Sequence, residues 1–266
     1  MSFYPRANRI LANLRNHEIA LGIELYTGSP SLIEIIAYAG FDFYMLDMEH
    51  APVDMETMRH CIRAADAAGI TTIVRVAENN PAHIARPVEE GAQGVIVPHI
   101  KNKEDARRAI DSLRYPPEGK KGSCPAIRAS NYSTAGWDDY LRHHSRETMF
   151  IALLEDVEAI ENVEEILAEL KPGVDAVMFG RGDLAQSLTR PGENVNWEHP
   201  YVLEAYDKVL AASRRAGIPT VAVPWPVVSV ESANEAISKG AEICLYSIDQ
   251  LLFYNLCQSI VKQMKQ

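Results

Sequence analysis

Four short apolar runs of the sequence end in acidic, basic or imidazole side chains. Residues 46–50 read LDMEH, residues 74–75 read VR, residues 154–156 read LED, and residues 179–183 read FGRGD. Carboxylates can hold a hard divalent cation, an arginine can stabilise an oxyanion, and a histidine can transfer a proton near neutral pH. Any one of these groups is equally compatible with a helix cap or a solvated turn. Together they predict a site with oxygen ligands for Mg²⁺ or Mn²⁺. Zinc is less suited, since no His-x-x-x-His or paired Cys-His spacing occurs.

The elements that must position these groups alternate along the chain. Runs rich in Val, Ile, Met and Phe predict eight strands, at residues 20–25, 43–47, 71–75, 94–98, 149–154, 176–180, 219–223 and 243–246. Apolar spacings of three and four predict a leading helix near residues 8–16 and eight more helices, at residues 31–39, 55–68, 82–89, 103–113, 157–170, 202–216, 229–239 and 249–265. Eight strands, each followed by a helix, predict an α/β fold of the (β/α)8 TIM barrel type. An open doubly wound sheet is the alternative, but no G-x-G-x-x-G follows the first strand.

We expect residues 1–266 to form a single domain, although a chain of 266 residues, at roughly 150 per domain, also allows two. Residues 114–148, between the fourth barrel helix and the fifth strand, exceed the roughly two to six residues usual between such elements. This long loop is expected to act as a lid or an interface. Barrel active sites lie at the carboxyl ends of the strands, so Glu155 and Asp183, after adjacent strands, are expected to converge on one cation.

Composition and charge exclude several classes of partner. Hydrophobic residues make up 47% of the chain, which is enough for a sizeable core. The net charge of -10 disfavours binding to nucleic acid or to an anionic membrane surface. No apolar run reaches the roughly 18 residues of a membrane span, and no signal peptide is expected. Four dispersed cysteines without a CxxC pair predict free thiols in the cytoplasm.

Several motifs, taken in order, resemble the HpcH/HpaI aldolase family: GFDFYMLDMEHAP, TTIVRV, VIVPHIKNKEDA, RYPPEGKKG, LLED and VMFGRGDL. The resemblance covers roughly residues 21–241, and the joint order of the motifs is more specific than any one of them. It implies a (β/α)8 barrel that acts as a pyruvate aldolase with a divalent cation, Mg²⁺, Mn²⁺ or Co²⁺. It also implies a homo-oligomer, a hexamer built as a trimer of dimers, with a terminal helix exchanged between subunits.

The resemblance also implies roles for the matching residues. Glu155 and Asp183 become the metal ligands, Arg75 faces the pyruvyl oxygen of the substrate, and His50 is the acid/base residue.

Supporting residues follow from the same resemblance. Asp47 and Glu49 flank His50, and Glu89 matches an acid that orients the histidine of a neighbouring subunit. The backbone N–H groups of Gly182 and Asp183 are expected to hold the substrate carboxylate.

Departures from the family pattern surround this core. Met48 stands where the family usually has Gly, and Leu153 where many members have Gln. Arg181 follows Gly180 where the family has Pro, and it is expected either to bind a distal substrate carboxylate or to neutralise Asp183 or Asp156. Glu24, where many members have Trp, either favours a polyhydroxylated substrate tail or forms a salt bridge. The roles of His99, Arg128 and Trp225 stay open between packing and function.

The predicted reaction is the reversible cleavage of a 4-hydroxy-2-oxo acid into pyruvate, or a related 2-oxo acid, and an aldehyde. Cleavage leaves an enolate, whose charge has to be stabilised by the metal and Arg75 as it develops. A Schiff-base aldolase would need a lysine in a dry pocket, and residues 175–180 contain none. Two alternatives stay open: a CoA-thioester lyase of the citrate-lyase β type, and a biosynthetic relative that forms carbon–carbon bonds through the same enolate.

Overall fold

The computed structural model describes residues 5–225 and 227–265. Eight parallel strands form a closed barrel in sequential order, and the last strand pairs with the first. The strands are β1 Ala20–Leu25, β2 Phe43–Asp47, β3 Thr71–Arg75, β4 Gly94–Val97, β5 Met149–Leu154, β6 Ala176–Phe179, β7 Thr220–Ala222 and β8 Ile243–Ile248. The predicted (β/α)8 barrel is confirmed, and the strand ends differ from the prediction by no more than two residues.

Helices surround the barrel. Within the described residues they are α1 Arg9–Arg15, α2 Pro30–Tyr38, α3 Met55–Ala68, α4 Pro81–Glu90, α5 Lys103–Leu113, α6 Trp137–Glu147, α7 Val157–Glu161, α8 Val163–Glu169, α9 Arg181–Ser187, α10 Pro200–Ala216, α11 Val230–Ser238 and α12 Asp249–Met264. None of these helices is both long and apolar enough to cross a membrane.

The expected loop at residues 114–148 is only partly correct. It contains a 3₁₀ turn, Arg128–Ser130, and helix α6. Tyr140 and His144, four residues apart on α6, are buried against Tyr115, and this contact stabilises the helix. The Gly- and Pro-rich start of the segment predicts a loop, so the helix was not expected from the sequence.

Two further segments differ from the prediction. The helix expected at residues 157–170 is divided into α7 and α8 at Asn162, whose side chain donates a hydrogen bond to the Lys101 carbonyl at 3.1 Å. A short additional helix, α9, follows β6 directly, before the predicted α10.

The period of two along each strand decides which side chains face the barrel interior. One apolar cluster takes residues from all eight strands, including Met45, Ile73 and Leu153, together with Ile10 and Leu11 of α1. The residues between them on the strands pack against the outer helices in a second cluster. Asp47, Arg75 and Glu155 continue the inward-facing series by one step, and so these polar groups enter the mouth of the barrel at the carboxyl ends of β2, β3 and β5.

Candidate active site

Arg75 lies at the centre of a buried ion-pair network at the barrel mouth. The strand register places Arg75 directly opposite Asp47. Its Nε lies 3.0 Å from Asp47 Oδ1, and its Nη2 lies 2.6 Å from Asp47 Oδ2. Nη2 also donates to Glu24 Oε1 at 2.9 Å and to the Tyr26 hydroxyl at 3.2 Å. The salt bridge expected as one alternative for Glu24 is therefore present, and Nη1 takes part in none of these contacts.

The network keeps Arg75 charged. Burial disfavours the charge of Arg75, but the hydrogen bond to Asp47 and the charges of Glu24 and Asp47 raise its pKa. Burial likewise raises the pKa of Asp47, yet the hydrogen bonds and charge of Arg75 outweigh it and leave that pKa below its usual value. Glu24 behaves differently: burial raises its pKa to about 7, although the charge of Arg75 opposes the shift. Arg75 and Asp47 thus form the charged pair, and Glu24 can accept a proton near neutrality.

Asp47 also shapes the turn that carries His50. Its Oδ1 accepts the backbone N–H groups of Glu49 at 2.8 Å and of His50 at 3.3 Å. His50 Nε2 lies 3.7 Å from Glu49 Oε2, and 52% of the His50 side chain is exposed. Glu49 Oε2 in turn lies 3.4 Å from Arg75 Nε. One buried carboxylate therefore positions both the arginine and the turn that presents the histidine.

Glu155 is a buried carboxylate on the other part of the mouth. It is 4% exposed, and burial raises its pKa to about 8, with a further contribution from the nearby charge of Asp183. Gly180 permits this placement, because a Cβ at that position would lie 2.4 Å from Glu155 Cβ and 2.7 Å from Glu155 Oε2. Asp183 lines the same cavity as Glu155, and its charge contributes to the raised pKa of Glu155.

His99 contacts the Glu155 carboxylate, and this contact was not predicted from the sequence. Its backbone N–H donates to Glu155 Oε1 at 3.0 Å, and its Nδ1 lies 3.4 Å from that oxygen and 3.0 Å from Asp156 Oδ2. Burial opposes protonation of the ring, but Asp156 and Glu155 raise the pKa of His99. Among the described residues, ligand atoms of Glu49, His99 and Glu155 lie within 4.8 Å of one another, a group that shares Glu155 with the predicted pair and does not include Asp183.

A cavity of about 740 Å³ opens at this end of the barrel. Six of the predicted site residues line it: His50, Arg75, Glu155, Arg181, Gly182 and Asp183. Asp47 and Glu49 do not line it, but both contact Arg75, which does. One cavity therefore contains His50 and Arg75 together with the four residues predicted to bind substrate or metal: Glu155, Arg181, Gly182 and Asp183.

The distal part of the cavity contains Arg181 and Trp225. Arg181 Nη1 donates to the Trp225 carbonyl at 2.8 Å, and its guanidinium carbon lies 5.7 Å from the centre of the Tyr206 ring. Within the described part of the chain, no ion pair within 4.0 Å joins Arg181 to Asp183 or Asp156, so the expected alternative of neutralising either acid is not observed. Trp225 lines the cavity and packs edge-on against Trp197.

Two other residues lie away from the mouth. Glu89 is on α4, where its Oε1 lies 2.5 Å from the buried Lys121 Nζ. Arg128 bonds to Asp66 and to the Glu90 carbonyl, which is a packing role. Glu89 does not line the cavity that His50 lines, and its expected action on a neighbouring subunit stays a prediction.

The donor set suits a hard divalent cation. Ligand oxygens of Glu49 and Glu155 lie within 4.8 Å of each other, and Asp183 lines the cavity beside Glu155. Burial holds the pKa of Glu155 and of Glu49 above their usual values. Neighbouring carboxylates that disfavour one another's ionisation are stabilised together by a dication, and oxygen ligands match Mg²⁺ or Mn²⁺.

Comparison with known proteins agrees with this chemistry. Residues 25–255 match the family HpcH/HpaI aldolase/citrate lyase. The chain is 35% identical over 206 residues to a 2-dehydro-3,6-dideoxy-6-sulfogluconate aldolase of Pseudomonas putida, a match that covers 77% of this chain and 78% of that protein. It is 30% identical over 259 residues to a 5-keto-4-deoxy-D-glucarate aldolase of Klebsiella pneumoniae, which covers 97% of each. The crystal structure of an HpcH/HpaI aldolase from Desulfitobacterium hafniense matches with a TM-score of 0.86 at 29% identity and covers 96% of both chains.

The chain belongs to the HpcH/HpaI aldolase/citrate lyase family. It is an enzyme of the lyase class, a metal-dependent aldolase. The CoA-thioester lyase and the biosynthetic alternative are not favoured, because the Pseudomonas putida and Klebsiella pneumoniae relatives are both aldolases.

Proposed function

We propose that this aldolase reversibly cleaves a 4-hydroxy-2-oxo acid into pyruvate, or a related 2-oxo acid, and an aldehyde. The observation that carries the proposal is the cavity shared by His50, Arg75, Glu155 and Asp183. The reaction has to stabilise charge on the 2-oxygen, hold a carboxylate and move a proton at the 4-hydroxyl. These four residues supply groups of the kinds that each task needs.

Glu155 and Asp183 would hold the divalent cation, Mg²⁺, Mn²⁺ or Co²⁺. When bound, the cation supplies a Lewis acid for the oxygens at the reacting end of the substrate. Gly182 and Asp183 are the second and third residues of α9, and the first N–H groups of a helix have no intrahelical partner. We assign these two N–H groups to the substrate carboxylate.

Arg75 donates to the 2-oxygen through Nη1. Its Nε and Nη2 are held by Asp47, which is fully buried, so the guanidinium has its orientation before the substrate enters. A donor that is fixed in advance stabilises the enolate without a reorganisation cost at the moment of reaction.

His50 removes the 4-hydroxyl proton as the C3–C4 bond breaks, and the electron pair of that bond forms the enolate of the 2-oxo acid. Asp47 and Glu49 position His50 within the chain. Glu89 is assigned to the histidine of a neighbouring subunit. Protonation of the enolate at C3 then releases the 2-oxo acid.

The substrate class follows from the relatives and the distal cavity. The two named relatives act on a deoxy-sulfogluconate and a keto-deoxy-glucarate, both sugar acids. Arg181 places a positive charge in the distal cavity without an acidic partner within 4.0 Å among the described residues. We therefore propose a sugar-acid-derived 2-oxo acid whose far end carries an anionic group that Arg181 binds.

We further propose that the enzyme is a cytoplasmic homo-oligomer, a hexamer arranged as a trimer of dimers. Helix α12 supports an assembly, because none of its residues Asp249–Met264 is buried and Phe253, Leu256 and Met264 are exposed. Four free cysteines suit a reducing compartment.

The test measures pyruvate release from 4-hydroxy-2-oxo acids, and the reverse condensation of pyruvate or hydroxypyruvate with acidic, neutral and aromatic aldehydes. EDTA is expected to abolish the reaction, and Mg²⁺, Mn²⁺ or Co²⁺ to restore it. Borohydride trapping of a covalent substrate adduct would refute the metal mechanism, because only a Schiff base is reduced in that way.

A further inference from the structure

His99 has an unusual backbone at the end of β4. Its φ of 53° lies in the left-handed region, which residues other than glycine rarely adopt. In this conformation its N–H donates to Glu155 Oε1 at 3.0 Å, and the ring returns toward the same carboxylate. Strained residues of this kind cluster at functional sites, where the surrounding contacts hold them.

The His99 ring is at ligand distance from Glu155. Nδ1 lies 3.4 Å from Glu155 Oε1, and the ligand atoms of Glu49, His99 and Glu155 all lie within 4.8 Å of one another. Two ligands with bonds of ~2.1 Å to one cation are ~3.0 to 3.4 Å apart at right or tetrahedral angles. The observed separation of 3.4 Å falls within this range, and 53% of the His99 side chain is exposed, which leaves room for an ion to approach.

The contact with Asp156 would not prevent the His99 ring from binding a cation. It now lies 3.0 Å from His99 Nδ1, but Lys101 Nζ also contacts it, at 3.2 Å from Oδ1. If Nδ1 turned to a cation, Asp156 would keep a positively charged partner.

We propose that His99 is a nitrogen ligand of the divalent cation, beside Glu155. The inference rests on the proposed function, since it adds a residue to the metal site assigned there. Its consequence concerns metal preference, because an imidazole ligand favours Co²⁺ and Zn²⁺ over Mg²⁺ relative to a site made of oxygen atoms alone.

The decisive experiment detects nitrogen bound to the metal by electron-spin-echo envelope modulation of the metal-stripped enzyme reloaded with Mn²⁺. The wild type is expected to show the modulation of a directly coordinated imidazole nitrogen, and His99→Asn to lose it. Asparagine is the chosen replacement because it tolerates the left-handed backbone and so preserves the turn. His60→Asn is the matched control, since His60 is 55% exposed beside Glu56 on α3, and it should keep the signal.

Binding isotherms provide a second readout. His99→Asn is expected to weaken Co²⁺ binding by about 10- to 100-fold and Mg²⁺ binding by less. Equal weakening of both metals, with unchanged modulation, would make His99 a positioning residue for Glu155 and overturn the proposal. Absence of nitrogen modulation in the wild type would overturn it without any variant. Failure of the wild type to bind any divalent metal would instead remove the proposed function itself.

Discussion

The close approach of Gly180, directly after β6, to Glu155 gives the sharpest mutational prediction, Gly180→Ala. The new Cβ would lie 2.4 Å from Glu155 Cβ and 2.7 Å from Oε2, whereas ordinary contacts begin at 3.4 Å. Glu155 therefore has to move by about 1 Å, which is the scale of misplacement that costs roughly 10²-fold in rate at an active site. The clash with buried atoms is also expected to cost about 1–3 kcal/mol of folding free energy.

The measurements are kcat for aldol cleavage, the Kd of the activating metal by calorimetry, and the Tm. Gly122→Ala is the control, because a Cβ there meets nothing within 4 Å and its backbone is not left-handed. We expect Gly180→Ala to lose roughly 10²-fold in kcat and about 10- to 100-fold in metal affinity, while Gly122→Ala changes neither. Metal affinity and kcat within twofold of the wild type would show that the position of Glu155 does not matter and refute the reasoning.

Three further predictions concern single side chains. Arg75→Ala removes the fixed donor to the 2-oxygen and should lower kcat by about 10²- to 10³-fold, corresponding to about 2.7–4 kcal/mol; near-normal kcat excludes Arg75 from the mechanism. Glu155→Ala should reduce the metal content to background by elemental analysis, and a stoichiometric metal in that variant contradicts its assignment as a ligand. His144 is buried and neutral, donating from Nε2 to the Leu113 carbonyl at 3.0 Å, and burial lowers its pKa to about 3. His144 therefore stabilises the fold fully above the unfolded pKa of about 6.5, and this stabilisation is lost as the pH falls toward 3. In His144→Gln, the free energy of unfolding measured in urea should fall less steeply with pH over this range. An unchanged pH dependence contradicts this.

The sequence predicted most of the barrel and much of its mouth, for a definite reason. Strands buried on both faces read as short apolar runs. Every second side chain of a strand faces the same side, so Glu155, two residues after the inward-facing Leu153, also faces the barrel interior. Asp47 and Arg75 follow by the same rule. Their mutual pairing needs the strand register, which the structure supplies.

Other features depended on contacts that the sequence does not display. Helix α6 is stabilised by packing on Tyr115, which precedes it by more than twenty residues. The Gly and Pro residues between them are typical of a loop, so the sequence did not predict the helix. The left-handed backbone at His99 could not be predicted, because the residue is not a glycine. The proposed action of Glu89 stays a prediction, because it involves a second chain.

We propose that the metal site and Arg75 stabilise a 2-oxo acid enolate, whatever the aldehyde. Proton NMR of pyruvate in deuterium oxide, with the metal-loaded enzyme and no aldehyde present, tests this without the second substrate. We expect the methyl signal to decay as its protons exchange with solvent, and EDTA or Arg75→Ala to stop the decay. Exchange that persists after metal removal, or a loaded and active aldolase that exchanges no methyl protons, would contradict it.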